Sequence, residues 1–151
     1  MTPEGLTLVL VDDDDGHIEL LRRGLRRHGL HFELRCFGDG AAALDHLEQL
    51  GSTPAASREL VVLLDINMPG IDGVEVLSRL KGSSVTQHIP VLMLTTTDDP
   101  REIQRCRLLG CDVHVIKPVQ PSALLDAIRQ LGLQGADVGK FNAHDETEGK
   151  P

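Results

Sequence analysis

Four aliphatic runs in this chain each end abruptly in side chains able to bind a cation, donate a proton or attack an electrophile. Leu6–Val11 gives way to Asp12-Asp13-Asp14-Asp15, and Leu60–Leu64 to Asp65-Ile66-Asn67. Ile89–Leu94 is followed by Thr95-Thr96-Thr97-Asp98, and Val113–Ile116 by Lys117-Pro118. Carboxylates drawn together from the first and second of these runs repel one another unless a cation lies between them. An all-oxygen donor set built from such carboxylates points to Mg2+, a hard, octahedral ion that keeps some of its waters. That ion commonly accompanies phosphoryl transfer, where it neutralises charge on the moving group. In such a setting Asp65 is the candidate nucleophile, a carboxylate able to form an aspartyl phosphate. Lys117 supplies a positive point charge for a phosphoryl oxygen, and Thr95 a hydroxyl donor.

These residues must be held by the elements between them. Each aliphatic run is nearly continuous, as expected of a strand buried on both faces. His31–Phe37 alternates well enough to make a further strand. Between the runs, mostly apolar residues recur at helical spacing: Ile18, Leu21 and Leu25; Leu44 and Leu47 within Ala41–Leu50; Val74, Leu77 and Leu80; Ile103, Cys106 or Arg107, and Leu109; and Leu124, Ala127, Ile128 and Leu131. Gly29, Gly82 and Gly110 provide helix stops, and Gly51–Glu59 reads as a loop. Five strands alternating with five helices, joined by right-handed crossovers, give a parallel sheet wrapped on both faces. In such a doubly wound sheet, ligands bind beyond the carboxyl ends of the strands, where the strand order reverses. The polar ends named above all fall there.

Composition narrows the field further. At 151 residues the chain fits one domain. Lys and Arg number 15 against 23 Asp and Glu, so the net charge of −8 disfavours a phosphate backbone as direct partner. Aromatics amount to 2%, too few for a base-stacking platform. No apolar run approaches the roughly 20 residues of a membrane helix, and the aspartates after Val11 break any signal-peptide pattern. Three cysteines, an odd number, suit reduced thiols and a cytoplasmic setting better than a disulfide framework. Periodicity fades after Leu131, so residues 132–151 are expected to form a polar, flexible tail behind a domain spanning 1–131.

Taken together, the motifs resemble the receiver domain of response regulators in two-component signalling. The likeness runs from about Leu6 to Leu131. It rests on the acidic pair, on Leu64-Asp65-Ile66-Asn67-Met68-Pro69-Gly70-Ile71-Asp72-Gly73, on Leu94-Thr95-Thr96, on Gly110-Cys111-Asp112 and on Ile116-Lys117-Pro118. The resemblance implies a flavodoxin-like fold, (βα)5, with strand order 2-1-3-4-5. It also implies that Asp65 accepts a phosphoryl group from a phosphohistidine of a sensor histidine kinase or a phosphotransfer protein. Asp13, Asp65 and the main-chain carbonyl of Asn67 would then ligate Mg2+ directly, with Asp12 acting through water. Thr95 and Lys117 would hold phosphoryl oxygens, Thr96 would lie beside them, and the Lys117–Pro118 bond would be cis. His114 stands where the family often has the Tyr or Phe whose ring rotation reports phosphorylation. Asn67 and Thr97 are placed to tune the lifetime of the phosphate.

The Leu94–Arg101 stretch, the loop before the third long strand and the lack of any output domain look like the single-domain regulators paired with bacterial and cyanobacterial phytochromes. A homodimer through the fourth helix, fifth strand and last helix follows from that likeness. The expectation is therefore a signalling module whose only catalysis is on itself, with output through protein contacts.

Competing readings attach to several residues. Asp14 and Asp15 suit the first turn of a helix, and Asp72 its cap. Cys106, Cys111 and His114 lack the paired spacing of a structural zinc site. Arg22, Arg23, Arg26, Arg27 and His28 form either a solvated face or a docking surface for an acidic phosphodonor. A phosphatase of the haloacid dehalogenase type would also use Asp, Mg2+, Thr and Lys, but it needs a second Asp where this chain has Asn67. A pseudo-receiver that binds partners without phosphorylation would not need all five site positions.

Overall fold

The architecture was analysed in a computed structural model, which describes residues 6–30, 33–51, 59–68, 70–96 and 99–131. Strands β1 (Leu6–Val11), β2 (Glu33–Phe37), β3 (Glu59–Asp65), β4 (Val91–Thr95) and β5 (Val113–Ile116) alternate with helices α1 (Asp15–Arg27), α2 (Gly40–Gly51), α3 (Gly73–Gly82), α4 (Pro100–Leu108) and α5 (Pro121–Gln130). All strand pairings are parallel, in the order β2-β1-β3-β4-β5. This is the flavodoxin-like arrangement, and the order reverses between β1 and β3, so the carboxyl ends of those two strands open a crevice.

Strand pleat sorts the aliphatic runs into two cores. Leu8, Leu10, Leu63, Leu92 and Leu94 face one side and pack with Leu21 and Leu25 of α1 and Leu124 and Ile128 of α5. Val9, Val11, Val62, Leu64 and Met93 face the other, against Leu47 of α2, Leu77 and Leu80 of α3 and Cys106 of α4. Because both faces are covered, neighbouring residues on β1, β3 and β4 are alike apolar. Truncating a fully buried leucine such as Leu63 in a core of this kind costs about 2–5 kcal/mol.

Local signals set the element ends. Asp14 caps α1 by accepting from His17 N–H at 3.1 Å, and Asp72 caps α3 by accepting from Glu75 N–H at 2.9 Å. Gly29 and Gly110 leave α1 and α4 with φ of 74° and 106°, a backbone conformation that a side chain disfavours. Cys36, Cys106 and Cys111 are free thiols.

Several boundaries differ from the sequence expectation. The fourth strand starts at Val91 rather than Ile89: Pro90 has no N–H to give, and Val91 N–H donates to Asp112 Oδ2 at 2.9 Å. The third strand runs on through Asp65, which pairs in register with Leu94, so the acid sits on the sheet rather than in the turn after it. The second helix includes Gly40 and Gly51. His31, most of the Gly51–Glu59 stretch and residues 132–151 lie outside the described residues.

The close approach of α3 to the end of β3 depends on one glycine. Gly73 N–H donates to the Ile66 carbonyl at 2.9 Å, and a methyl group on Gly73 would overlap the Asp65 carbonyl oxygen and lie 2.8 Å from Ile66 Cα. Gly73→Ala should therefore push α3 off the strand that carries Asp65, lowering stability by about 1–3 kcal/mol. A urea unfolding midpoint matching that of the parent protein would contradict this.

Candidate functional site

Four of the five strands each deliver one group to the crevice. Asp12 follows β1, Asp65 ends β3, Thr95 ends β4 and Lys117 follows β5. Asp12, Asp65 and Thr95 are buried, whereas Asp13 is exposed at the rim. One carboxylate oxygen from each of Asp12, Asp13 and Asp65 lies within 4.8 Å of the others. Among the described residues this is the group of three or more ligating side chains whose donor atoms converge. Lys117 Nζ stands 3.2 Å from Asp12 Oδ2 and 3.2 Å from Asp65 Oδ2, joining β1 and β3 through β5.

The remaining hydrogen bonds orient the two buried acids. Asp12 Oδ1 accepts from Asp14 N–H at 2.9 Å, and Asp65 Oδ1 accepts from Asn67 N–H at 3.2 Å. Asp65 Oδ2 then faces Lys117. The donor set tests well against a hard divalent ion: all donors are oxygen, and three carboxylates against one ammonium leave two negative charges to neutralise.

Burial and charge act differently on the three ionisable groups. Burial raises the Asp65 pKa, and the nearby Asp12 charge raises it further; Lys117 and the Asn67 N–H offset only part of this. Burial also pushes Asp12 up, but bonds from Asp14 N–H, His17 and Lys117 outweigh it and hold Asp12 below the ordinary carboxylate value. For Lys117, burial alone would favour the neutral amine, yet Asp12 and Asp65 together raise its pKa. Asp12 is thus fixed as an anion and Lys117 as a cation, while Asp65 carries the frustration of the trio.

Residues named from the sequence fall into two groups. Asp12, Asp13, Asp65, Thr95 and Lys117 gather at the crevice, with Asn67 exposed beside Asp65 and Thr96 exposed after β4. The Lys117–Pro118 peptide is cis. His114 lies lower in the sheet, opposite Met93, with Nδ1 3.8 Å from Cys111 Sγ and Nε2 enclosed without a hydrogen-bond partner. Burial, then the charge of Arg107, holds its pKa below the ordinary histidine value. Thr97, Asp98 and Pro69 lie outside the described residues. Cys106 and Cys111 are buried thiols with raised pKa values, Cys111 at about 11, so neither offers a ready thiolate to a metal.

One residue of the site escaped the sequence reading. His17, buried at the start of α1, places Nδ1 2.6 Å from Asp12 Oδ2 and accepts the Val119 N–H at Nε2, 3.3 Å away. Its signal was present: His17, Leu21 and Leu25 share the i, i+4, i+8 stripe that faces the core, and His17 occupies the turn nearest the acidic rim.

Comparison with known proteins agrees with this geometry. The family model for the response regulator receiver domain matches residues 8–129. The methanogenesis regulatory protein FilR2 of Methanothrix harundinacea, itself a probable assignment, is 33% identical over 124 residues, covering 82% of this chain and 79% of that protein. The bacteriophytochrome response regulator AtBRR superposes with a TM-score of 0.70 at 38% identity, over 83% of this chain and 91% of that one. A receiver domain from Rhodospirillum rubrum gives a TM-score of 0.67 at 43% identity, over 84% and 91%. The chain spans only about half the length of other curated relatives, among them DNA-binding response regulators. With the family model covering most of its length and the acidic crevice in place at the carboxyl ends of β1 and β3, this chain belongs to the response regulator receiver domain family.

Proposed function

We propose that this receiver takes a phosphoryl group from a phosphohistidine onto Asp65, using a Mg2+ ion held at the acidic crevice, and signals through the resulting change in its protein contacts. The observation that carries the reading is the convergence of Asp12, Asp13 and Asp65 around one point, with Lys117 reaching both buried acids. In the transfer, an Asp65 carboxylate oxygen bonds to phosphorus as the phosphorus–nitrogen bond to the donor imidazole breaks, giving an acyl phosphate and a free imidazole. Lys117 stands ready to leave its bond to Asp65 Oδ2 for a phosphoryl oxygen, and Thr95 offers its hydroxyl from the end of β4. Asp12, Asp13, Asp65 and the Asn67 carbonyl would hold the ion, which supplies neutralisation of charge on the transferring group. Burial and the neighbouring Asp12 raise the Asp65 pKa, and the acyl phosphate brings more negative charge than the carboxylate it replaces, so the cation and Lys117 are needed to balance the product. Asn67 carries an amide where a phosphomonoesterase of the Asp-nucleophile type needs an acid, so a signalling role is preferred over rapid turnover.

Two surfaces fit the expected partners. On α1, Leu20 is 52% exposed and shares a face with exposed Arg23 and Arg27, a place for an acidic phosphodonor such as a sensor histidine kinase or a phosphotransfer protein. The likeness to AtBRR favours a bacteriophytochrome as that kinase. On the opposite flank, Leu108 of α4 is 76% exposed and Ile116 of the edge strand β5 is 51% exposed, which supports a homodimer through α4, β5 and α5. No helix among the described residues is long and apolar enough to cross a membrane; with the acidic net charge and free thiols this favours a cytoplasmic protein without direct nucleic-acid contact.

Acetyl phosphate with Mg2+ should add one phosphoryl group to the protein by intact-mass spectrometry. Asp65→Asn or excess chelator should abolish the adduct, and labelling that persists in Asp65→Asn would place the acceptor elsewhere. Mg2+ at a hundredfold excess over its Kd should stabilise the protein by about 2.7 kcal/mol in urea titrations; Asp13→Asn should weaken binding tenfold or more, and equal affinity would remove Asp13 from the ligand set. Leu108→Glu combined with Ile116→Glu should yield a monomer by light scattering where the parent is dimeric; a dimer surviving both changes would assign the interface to another face.

A further inference from the structure

The carboxylate Asp12 is bonded by two cationic or imidazole side chains, and these are tied to each other through the main chain. Asp12 Oδ2 meets Lys117 Nζ at 3.2 Å and His17 Nδ1 at 2.6 Å. His17 Nε2 in turn takes the N–H of Val119, two residues beyond Lys117, at 3.3 Å. Asp12, Lys117, Pro118, Val119 and His17 therefore form a closed circuit that fastens the end of β1 to the segment leading into α5. Its hydrogen-bonded acid, imidazole and amide residues are buried, with Asp12 0% exposed, His17 6% and Val119 5%, while Lys117 is half-buried and Pro118 exposed. Val119 also packs in the core that holds Leu124, Leu125 and Ile128 of α5.

Hydrogen-bond chemistry dictates the state of the imidazole. A main-chain N–H can only donate, so Nε2 accepts and carries no proton; the neutral ring then bears its proton on Nδ1 and donates it to Asp12. The contact to Asp12 is thus directional. It fixes which oxygen faces the crevice, as outer partners commonly do for groups that bind metal ions.

We propose that His17 is a positioning residue that presets the Asp12 carboxylate for a divalent cation and conveys loading of the crevice to the start of α5 through the Val119 N–H. The proposal deepens the phosphoacceptor reading and rests on it for the cation. When Asp12 shares its charge with a cation, it becomes a weaker acceptor for His17. The imidazole then polarises less, and its Nε2 accepts less strongly from Val119. The change is delivered to the segment leading into α5, on a flank that carries exposed Ile116. Among the described residues His114, the sequence-based candidate for reporting phosphorylation, has no such connection: its Nε2 is without a partner and its Nδ1 meets the Cys111 thiol at hydrogen-bonding range.

Two amide side chains separate the halves of this role. The side-chain amide of His17→Asn lies near the place of Nδ1 and can still donate to Asp12, but it is too short to reach Val119. In His17→Gln the terminal amide lies near Nε2 and can accept from Val119, leaving Asp12 without its restraint. Mg2+ titrations followed by amide chemical shifts should show His17→Asn binding within about threefold of the parent but with the Val119 amide no longer responding. His17→Gln should bind about tenfold more weakly, and His17→Leu should lose both properties. Parent-like affinity together with a parent-like Val119 response in His17→Leu would overturn the proposal. Should the variants fail to fold, the parent protein decides: long-range proton–nitrogen correlations of the His17 ring must show a protonated Nδ1 and a bare Nε2, and the opposite tautomer refutes the circuit. If the parent shows this tautomer and the Val119 response to Mg2+ yet takes up no phosphoryl group from acetyl phosphate, the positioning role stands and the phosphoacceptor reading fails.

Discussion

Three carboxylates share a space that one ammonium cannot neutralise, and much of the chain's organisation serves to hold them there. Left to water, Asp12, Asp13 and Asp65 would move apart. Here Asp12 and Asp65 are buried at the ends of neighbouring strands, and their separation is set by the β1–β3 register that pairs Val11 with Leu64. The strain is distributed unevenly. Asp12 receives enough hydrogen bonds to remain an anion despite its burial, whereas Asp65 is left with a raised pKa. A carboxylate in that position gains most from a cation placed beside it.

Such an arrangement requires a stiff frame, since carboxylates that could relax by an ångström would relieve their repulsion. The aliphatic strands provide it. With both faces covered, β1, β3 and β4 cannot tilt without opening one of the two cores. Gly73 adds a local constraint by letting α3 lie against the Asp65 backbone. The functional side chains are thus placed by residues that do no chemistry themselves. The exposed rim, by contrast, is where charge can enter: Asp13, Asn67 and Thr96 all face solvent.

Lys117 and His17 extend the site beyond its acids. Lys117 belongs to β5's carboxyl end and His17 to α1, yet both converge on the same oxygen of Asp12. One link crosses the sheet, while the other runs down into the core shared by α1 and α5. In the proposed circuit this second link is what would carry change at the rim to the segment leading into α5, next to the edge strand with its exposed Ile116.

The sequence by itself determined the parts whose signals are local. Continuous aliphatic runs marked buried parallel strands, glycines marked helix stops, and the abrupt onset of Asp12, Asp65, Thr95 and Lys117 marked the functional end of the sheet. Capping by Asp14 and Asp72 was readable for the same reason, since a cap acts within three residues. Only the tertiary structure decided the rest. That β3 reaches Asp65 follows from pairing with Leu94, and that Pro90 stays outside β4 follows from the bond between Val91 and Asp112. His17 shows the limit most clearly. Its composition and spacing suit a core-facing helical position, and its partners lie 5 and 102 positions away. Hydrogen bonds over such separations depend on how α1 and the start of α5 dock across the sheet, which no local pattern encodes.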